Sequence, residues 1–270
     1  MNTITLPVKR PFNWKVFLFV LVLVILASFA VIPYSFTVTS IPLDSDVMLL
    51  VIASTFVNAL IYGGLAAAGL YLAGRIGLGL PFVEGWLKKE PIRGKFRGVV
   101  VTAVIVGIVV GIAIIVLDIV VFGPPMQAEF QSLNVTIPET IQPPAWQGFL
   151  ASFYGGIVEE VLLRLFFMTL LAWLGGLVFH DSEGRPAVFV IWSANILAAV
   201  IFGLGHLPTA IAIGIPLTAL FVTRTVVLNG IGGVAFGWLY WKQGLESAMM
   251  AHFTVDIVLH VLFVLILSLL

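Results

Sequence analysis

Residues 97–123 read RGVVVTAVIVGIVVGIAIIVLDIVVFG, and this stretch decides the fold class. A transmembrane helix needs roughly 20 consecutive, mostly apolar residues, and this stretch is longer than that. Comparable apolar stretches occupy residues 14–36, 47–74, 146–179, 187–206 and 246–270. The sequence therefore predicts an all-α, polytopic bundle of transmembrane helices.

The composition of the whole chain agrees with this prediction. Of its 270 residues, 61% are hydrophobic and 10% are charged, and the mean hydropathy is +1.16. A soluble domain is usually about half apolar and about a quarter charged. Most of the surface must therefore face lipid, and since no long polar linker divides the chain, we expect one membrane domain over residues 1–270.

Charge and cysteine content exclude several classes of function. The 13 basic and 13 acidic residues give a net charge of zero, whereas nucleic-acid binding needs a basic excess. The chain contains no cysteine, which excludes disulfides, thiolate metal sites and a cysteine nucleophile.

The number of spans depends on residues 209–241, which are apolar but interrupted by Pro216, Arg224 and several glycines. They form either one long helix, for seven spans, or two short crossings, for eight. We prefer about eight, because His206 near the end of one span and His252 near the start of the last would then meet at one depth. The charge pattern would place such a site nearer the non-cytoplasmic face.

The polar flanks of the spans indicate their orientation. Residues 77–97 combine large apolar side chains with a cluster of six charges, five of them basic, which is typical of an amphipathic segment at the cytoplasmic interface. The loop at 123–146 has no Lys or Arg and should lie on the opposite side. The apolar run from Val16 to Ile32 is too long for a signal peptide, so we expect it to remain as the first span.

Three charges lie inside one apolar stretch, at Glu159, Glu160 and Arg164. Each costs roughly 2.5–3.5 kcal/mol at the centre of a membrane helix unless it is compensated. Glu160 and Arg164 are four residues apart and can pair, whereas Glu159 points about 100° away and is left free to act as a general base. The alternative is a packing network in a transporter or scaffold.

Two further patterns place histidines in spans. The first is Phe202-Gly203-Leu204-Gly205-His206, in which the glycines allow close approach of another backbone. The second is His252-Phe253-Thr254-Val255-Asp256, in which Asp256 lies one turn beyond His252 and could fix its tautomer. Buried polar residues that only stabilise helix packing are the alternative interpretation of both.

The order E-E-x-x-x-R, F-x-x-x-H and H-x-x-x-D resembles the CAAX protease and bacteriocin-processing family of intramembrane endopeptidases, which includes the Ras-converting CAAX prenyl endopeptidases. The three motifs fall within residues 146–260, which we expect to be the catalytic core. The residues that carry the resemblance are Glu159, Glu160, Arg164, Phe202, His206, His252 and Asp256.

The resemblance implies hydrolysis of a peptide bond by glutamate-activated water. Glu159 would activate the water and His206 would assist it, while His252 and Asp256 would stabilise the oxyanion. The substrate would be a membrane-associated or lipidated CAAX-type peptide, met in the lipid bilayer. The residues implied to support the site are Glu160, Arg164 and Phe202.

One departure and two alternatives accompany this reading. Prenyl endopeptidases typically carry Asn where this chain has Asp256, and an ionised Asp cannot donate to an oxyanion. Asp is common in prokaryotic members, which favours a prokaryotic cell membrane as the location.

The resemblance favours a mechanism without a cofactor, but Glu159, His206 and His252 could also bind zinc. A proton-coupled transporter, or an immunity or scaffold protein, remains the alternative to an enzyme.

Overall fold

The computed structural model describes residues 3–4, 6–40, 44–134 and 142–269, and within these ranges the chain is helical, without a named β-strand. Six of the described helices are long and apolar enough to cross a membrane. We label them α1 (Trp14–Thr39), α2 (Ser45–Ile76), α4 (Arg93–Ser132), α6 (Val188–Ala212), α7 (Ala219–Gln243) and α8 (Leu245–Leu267). The all-α prediction is confirmed, and the chain is an integral, multi-pass membrane protein.

Two further helices complete the described fold. The short α3 (Pro81–Leu87) lies in the segment predicted to be amphipathic, and the basic residues after it lead into α4. The long α5 (145–176) is not among these six, and it carries three charges, Glu159, Glu160 and Arg164, near its middle. It packs against α1, α2, α6 and α8, so that protein surrounds its charges.

Parts of α5 are wound as π-helix, with one more residue per turn than an α-helix. These parts are Tyr154–Glu159 and Val161–Met168, and shorter π-helical turns occur at Asp118–Phe122 in α4 and Val258–Leu262 in α8. Such turns often occur at functional sites, because they change the face on which the following residues lie.

The preferred division of residues 209–241 into two short crossings is wrong. Pro216 precedes α7, which then continues unbroken through Arg224 and the glycines. Arg224 is compensated by Asp118 of α4, and Gly233 and Gly237 lie directly against α6, where they permit close packing. With α5 included, the described chain has seven long helices, the lower of the two predicted numbers.

The single crossing of α7 also changes the predicted depth of the site. The backbone N–H of Leu245 at the start of α8 donates to the carbonyl of Gly79 at 3.0 Å. Glu246 accepts hydrogen bonds from the amides of Phe82 and Val83 at 2.9 Å. The last helix therefore begins at the face that carries the basic segment, and the expectation of a site nearer the opposite face is wrong.

Candidate active site

Two glycines bring α5 against α8. A Cβ atom on Gly155 would overlap the carboxylate of Asp256 and lie 3.2 Å from Nε2 of His252. A Cβ atom on Gly156 would lie 3.0 Å from the carbonyl oxygen of Met249. Because no side chain separates the helices here, the carboxylates that follow in α5 reach the polar residues of α8.

This close approach brings three buried ionisable groups, Arg164, Glu160 and His252, into contact with one another. Glu160 Oε1 lies 2.9 Å from Nη1 of Arg164, which confirms the predicted pair, and 2.8 Å from Nδ1 of His252. The side chain of Glu160 is 0% exposed. Since a carboxylate only accepts hydrogen bonds, Nδ1 of His252 carries the proton, and Nε2 is directed towards the cavity.

Two aromatic rings pack against Arg164 and His252 and hold the three groups in place. The ring of Phe236 stacks on His252 with centroids 4.5 Å apart, and Phe202 meets the same imidazole edge-on at 5.4 Å. The guanidinium of Arg164 lies 4.9 Å from the Phe202 centroid and 5.3 Å from that of Phe236. Cation–π contacts of this kind compensate part of the cost of burying the arginine.

The prediction that Asp256 fixes the tautomer of His252 is wrong. The nearest oxygen of Asp256 lies 3.8 Å from Nε2, too far for a hydrogen bond, and Glu160 orients the ring instead. Asp256 lies on the Nε2 side of the ring, one turn farther along α8, whereas Glu160 of α5 meets the Nδ1 side. Asp256 therefore faces the same part of the cavity as Nε2.

Glu159 differs from its neighbour Glu160 in exposure. Its side chain is 25% exposed, it lines the cavity, and its Oε2 lies 3.7 Å from Nε2 of His252. One carboxylate of the pair is thus fully enclosed, and the other is accessible to a substrate or to water.

His206 enters the cavity from a break in α6. Helical geometry ends at Leu204, and the imidazole turns back so that Nδ1 lies 2.9 Å from the carbonyl oxygen of Phe202. The carbonyl can only accept, so Nδ1–H donates and Nε2 remains available on the other side of the ring. His206 lines the same cavity as Glu159 and His252, but within the described residues it pairs with neither carboxylate nor imidazole.

Part of the chain is similar to a known protein family. Residues 141–258 match the family model described as type II CAAX prenyl endopeptidase Rce1-like. Over this segment the chain is similar to the CAAX protease family. The matched segment is less than half of the chain but contains all three motifs, and it supports an intramembrane endopeptidase as the general activity. No curated protein and no solved structure matches the chain.

The cavity beside these residues has a volume of about 950 Å³ and a mostly apolar wall. It is open to Glu159, His206, His252 and Asp256 at one part of the wall and reaches residues of α1, α2 and α4. This volume is in the range of pockets that enclose a drug-sized molecule or a short peptide segment.

A tyrosine pair in the cavity wall was missed by sequence reasoning. The hydroxyls of Tyr62 and Tyr154 lie 3.2 Å apart, and both residues line the cavity with Glu159. Tyr154 and Glu159 are five residues apart, which in an α-helix would put them on different faces. The π-helical turn Tyr154–Glu159 gives them a common face, and a plain helical period does not reveal this.

A second ion pair in the wall was also missed. Nε and Nη2 of Arg224 donate to the two carboxylate oxygens of Asp118, each at 2.6 Å. In the sequence, Arg224 is interpreted only as an interruption of an apolar stretch. The available signal for the pair was that Asp118 and Arg224 each place a charge inside an apolar stretch.

A zinc site would need the donor atoms of Glu159, His206 and His252 to converge on one point. Among the described residues, no group of three His, Cys, Asp or Glu side chains is arranged to hold a metal ion. Glu159 and His252 approach each other to 3.7 Å, but His206 does not join them as a third ligand. The described arrangement of these three residues therefore does not fit a zinc ion.

Proposed function

We propose that this protein hydrolyses a peptide bond in a membrane-associated or lipidated CAAX-type peptide, using water activated by Glu159. The observation that carries the proposal is the contrast between two adjacent carboxylates. Glu160 is enclosed by Arg164 and His252, whereas Glu159 is open to the cavity beside Nε2 of His252. A carboxylate that must accept and return a proton needs this access.

In the proposed reaction, Glu159 takes a proton from water while the hydroxide oxygen bonds to the scissile carbonyl carbon. The carbonyl π electrons move to the oxygen and form an oxyanion. The protonated imidazole of His252 donates from Nε2 to this oxyanion, while Glu160 holds Nδ1. Collapse of the intermediate breaks the C–N bond, and Glu159 gives its proton to the leaving amine.

The remaining residues have supporting roles in this proposal. His206 presents Nε2 to the cavity as an acceptor and would orient the attacking water. Asp256 lies 3.8 Å from Nε2 of His252 and would stabilise the positive charge of the protonated imidazole. Arg164 and Phe202 hold Glu160 and His252 at the positions that the reaction requires.

The test is cleavage of a quenched-fluorescent, prenylated CAAX peptide by the purified protein in detergent. Glu159→Ala and His206→Ala variants and a sample treated with a chelator are measured in parallel. We expect cleavage by the wild-type protein, loss of cleavage in both variants and no effect of the chelator. Loss of activity with chelator and its recovery with Zn²⁺ would contradict the metal-free mechanism, and no cleavage by folded protein would contradict the prenylated substrate.

A further inference from the structure

The ion pair of Asp118 and Arg224 has no part in the proposed reaction, yet it lies in the wall of the same cavity. Its two side chains are 34% and 29% exposed, respectively. Among the described residues that line the cavity, Arg224 is the only Lys or Arg, and the other titratable groups are carboxylates, histidines and tyrosines. Among the described lining residues, Arg224 is therefore the one permanent positive charge that an anionic group in the cavity could bind.

The hydrogen bonds of Arg224 leave room for a second carboxylate. A guanidinium has five N–H donors, and the bond to Asp118 uses Nε and one N–H of Nη2. Nη1 and the second N–H of Nη2 form the other fork, and within the described residues they have no hydrogen-bond partner. Asp118 thus orients the guanidinium without occupying it, and Arg224 can bind a second carboxylate in the bidentate manner.

The position of Arg224 along α7 determines how long a peptide segment can reach from His252 to Arg224. It lies twelve residues before Phe236, which stacks on His252, so the two residues are about 18 Å apart along the helix. An extended peptide covers about 3.3–3.6 Å per residue, so roughly five residues span this distance. Because the side chains of His252 and Arg224 both project into the cavity, we expect a segment of about three to five residues.

We propose that Arg224, oriented by Asp118, binds the free carboxylate at the C-terminus of the substrate and so selects peptide bonds a few residues from a chain end. This inference rests on the proposed function. It assigns to Arg224 a part in substrate specificity and to Asp118 a positioning role.

The experiment compares two quenched-fluorescent, farnesylated peptides of one sequence, with three residues after the scissile bond. One peptide ends in a free carboxylate and the other in a carboxamide. We expect the wild-type protein to cleave the acid with a kcat/KM about tenfold or more above that of the amide, mainly through KM, because a charge-assisted pair is lost with the amide. Arg224→Gln should cleave both peptides at the rate of the amide.

Three variants make the result specific. Arg224→Lys keeps the charge but not the fork and should restore only part of the preference. The Asp118→Asn, Arg224→Gln double variant removes both charges, so it should fold without an unpaired carboxylate and should still lack the preference. Arg185→Gln changes an arginine that pairs with Glu183 in the loop after α5, outside the cavity, and should keep the full preference.

Equal cleavage of acid and amide by the wild-type protein would overturn the inference while leaving the proposed function intact. So would an unchanged preference in Arg224→Gln. An equal loss on both peptides in that variant would indicate a structural role or a lipid phosphate as the bound anion, and would also overturn it. If the wild-type protein cleaves neither peptide, the proposed function fails and the inference falls with it.

Discussion

Two arginine–carboxylate pairs lie inside the membrane region, and they differ in their surroundings. The side chains of Glu160 and Arg164 are 0% and 1% exposed, and Arg164 is also sandwiched between aromatic rings. Asp118 and Arg224 form the better bidentate geometry but remain open to the cavity. The comparison indicates that the enclosed pair holds the site together, whereas the open pair is available to a ligand.

The largest expected effect comes from breaking the enclosed pair on one side. Arg164→Leu leaves the carboxylate of Glu160 buried with only His252 beside it, and loss of one partner of a buried pair typically costs about 3–5 kcal/mol. We expect a lower melting temperature in detergent and loss of cleavage. Arg224→Leu is the matched change in the open pair and should cost less stability than Arg164→Leu, because the carboxylate of Asp118 stays open to the cavity. Equal destabilisation by the two variants would remove the distinction between the pairs.

A smaller effect should follow from separating the two helices that form the enclosed site. Gly155→Ala places a methyl group that overlaps the carboxylate of Asp256 and lies 3.2 Å from Nε2 of His252, so α5 and α8 must move apart. Overpacking of this kind costs about 1–3 kcal/mol, and we expect cleavage to fall at least tenfold because Glu159 moves away from His252.

The control for this change is Gly230→Ala in α7. An added Cβ atom at Gly230 meets nothing within 4 Å. This variant should keep the melting temperature and activity of the wild-type protein. Normal activity in Gly155→Ala would show that the close contact of α5 with α8 is not needed for the reaction.

The smallest expected effect concerns the tyrosine pair on the open side of the site. Tyr154→Phe removes one hydroxyl from a partly buried hydrogen bond to Tyr62, which typically costs about 0.5–1.5 kcal/mol. We expect a slight decrease in melting temperature and a change in kcat of less than tenfold. Tyr71→Phe removes a hydroxyl that accepts from Arg75 on the exposed side of α2 and serves as the control. A loss of kcat as large as that of Glu159→Ala would give Tyr154 a direct part in the chemistry.

The enclosed pair was predictable because it is local. Glu160 and Arg164 are four residues apart in one helix, so their contact follows from helical geometry. The bond from Glu160 to His252 joins residues 92 positions apart and depends on Gly155 and Gly156, which allow α5 and α8 to touch. Sequence spacing instead favoured Asp256, the local neighbour of His252, and that prediction was wrong.

The open pair was not predictable from spacing. Asp118 and Arg224 are 106 positions apart, and their contact requires α7 to cross the membrane once beside α4. The glycines of residues 209–241 were interpreted as interruptions of a helix, and this prevented the prediction of the contact between Asp118 and Arg224. In the structure, Gly233 and Gly237 lie inside α7 and pack directly against α6. The limits 146–260 for a catalytic core stay a prediction, although Tyr62 and Asp118 show that helices before residue 146 also line the cavity.

The most direct test of the account compares Glu159→Gln with Glu160→Gln, both assayed on the prenylated peptide with melting temperatures measured in the same detergent. Because Glu159 faces the cavity, its variant should keep the wild-type melting temperature and lose cleavage by about a hundredfold or more. The Glu160 variant should lose stability as well, since the bonds to Arg164 and His252 are weakened. Normal cleavage by folded Glu159→Gln would contradict the claim that this carboxylate activates the water.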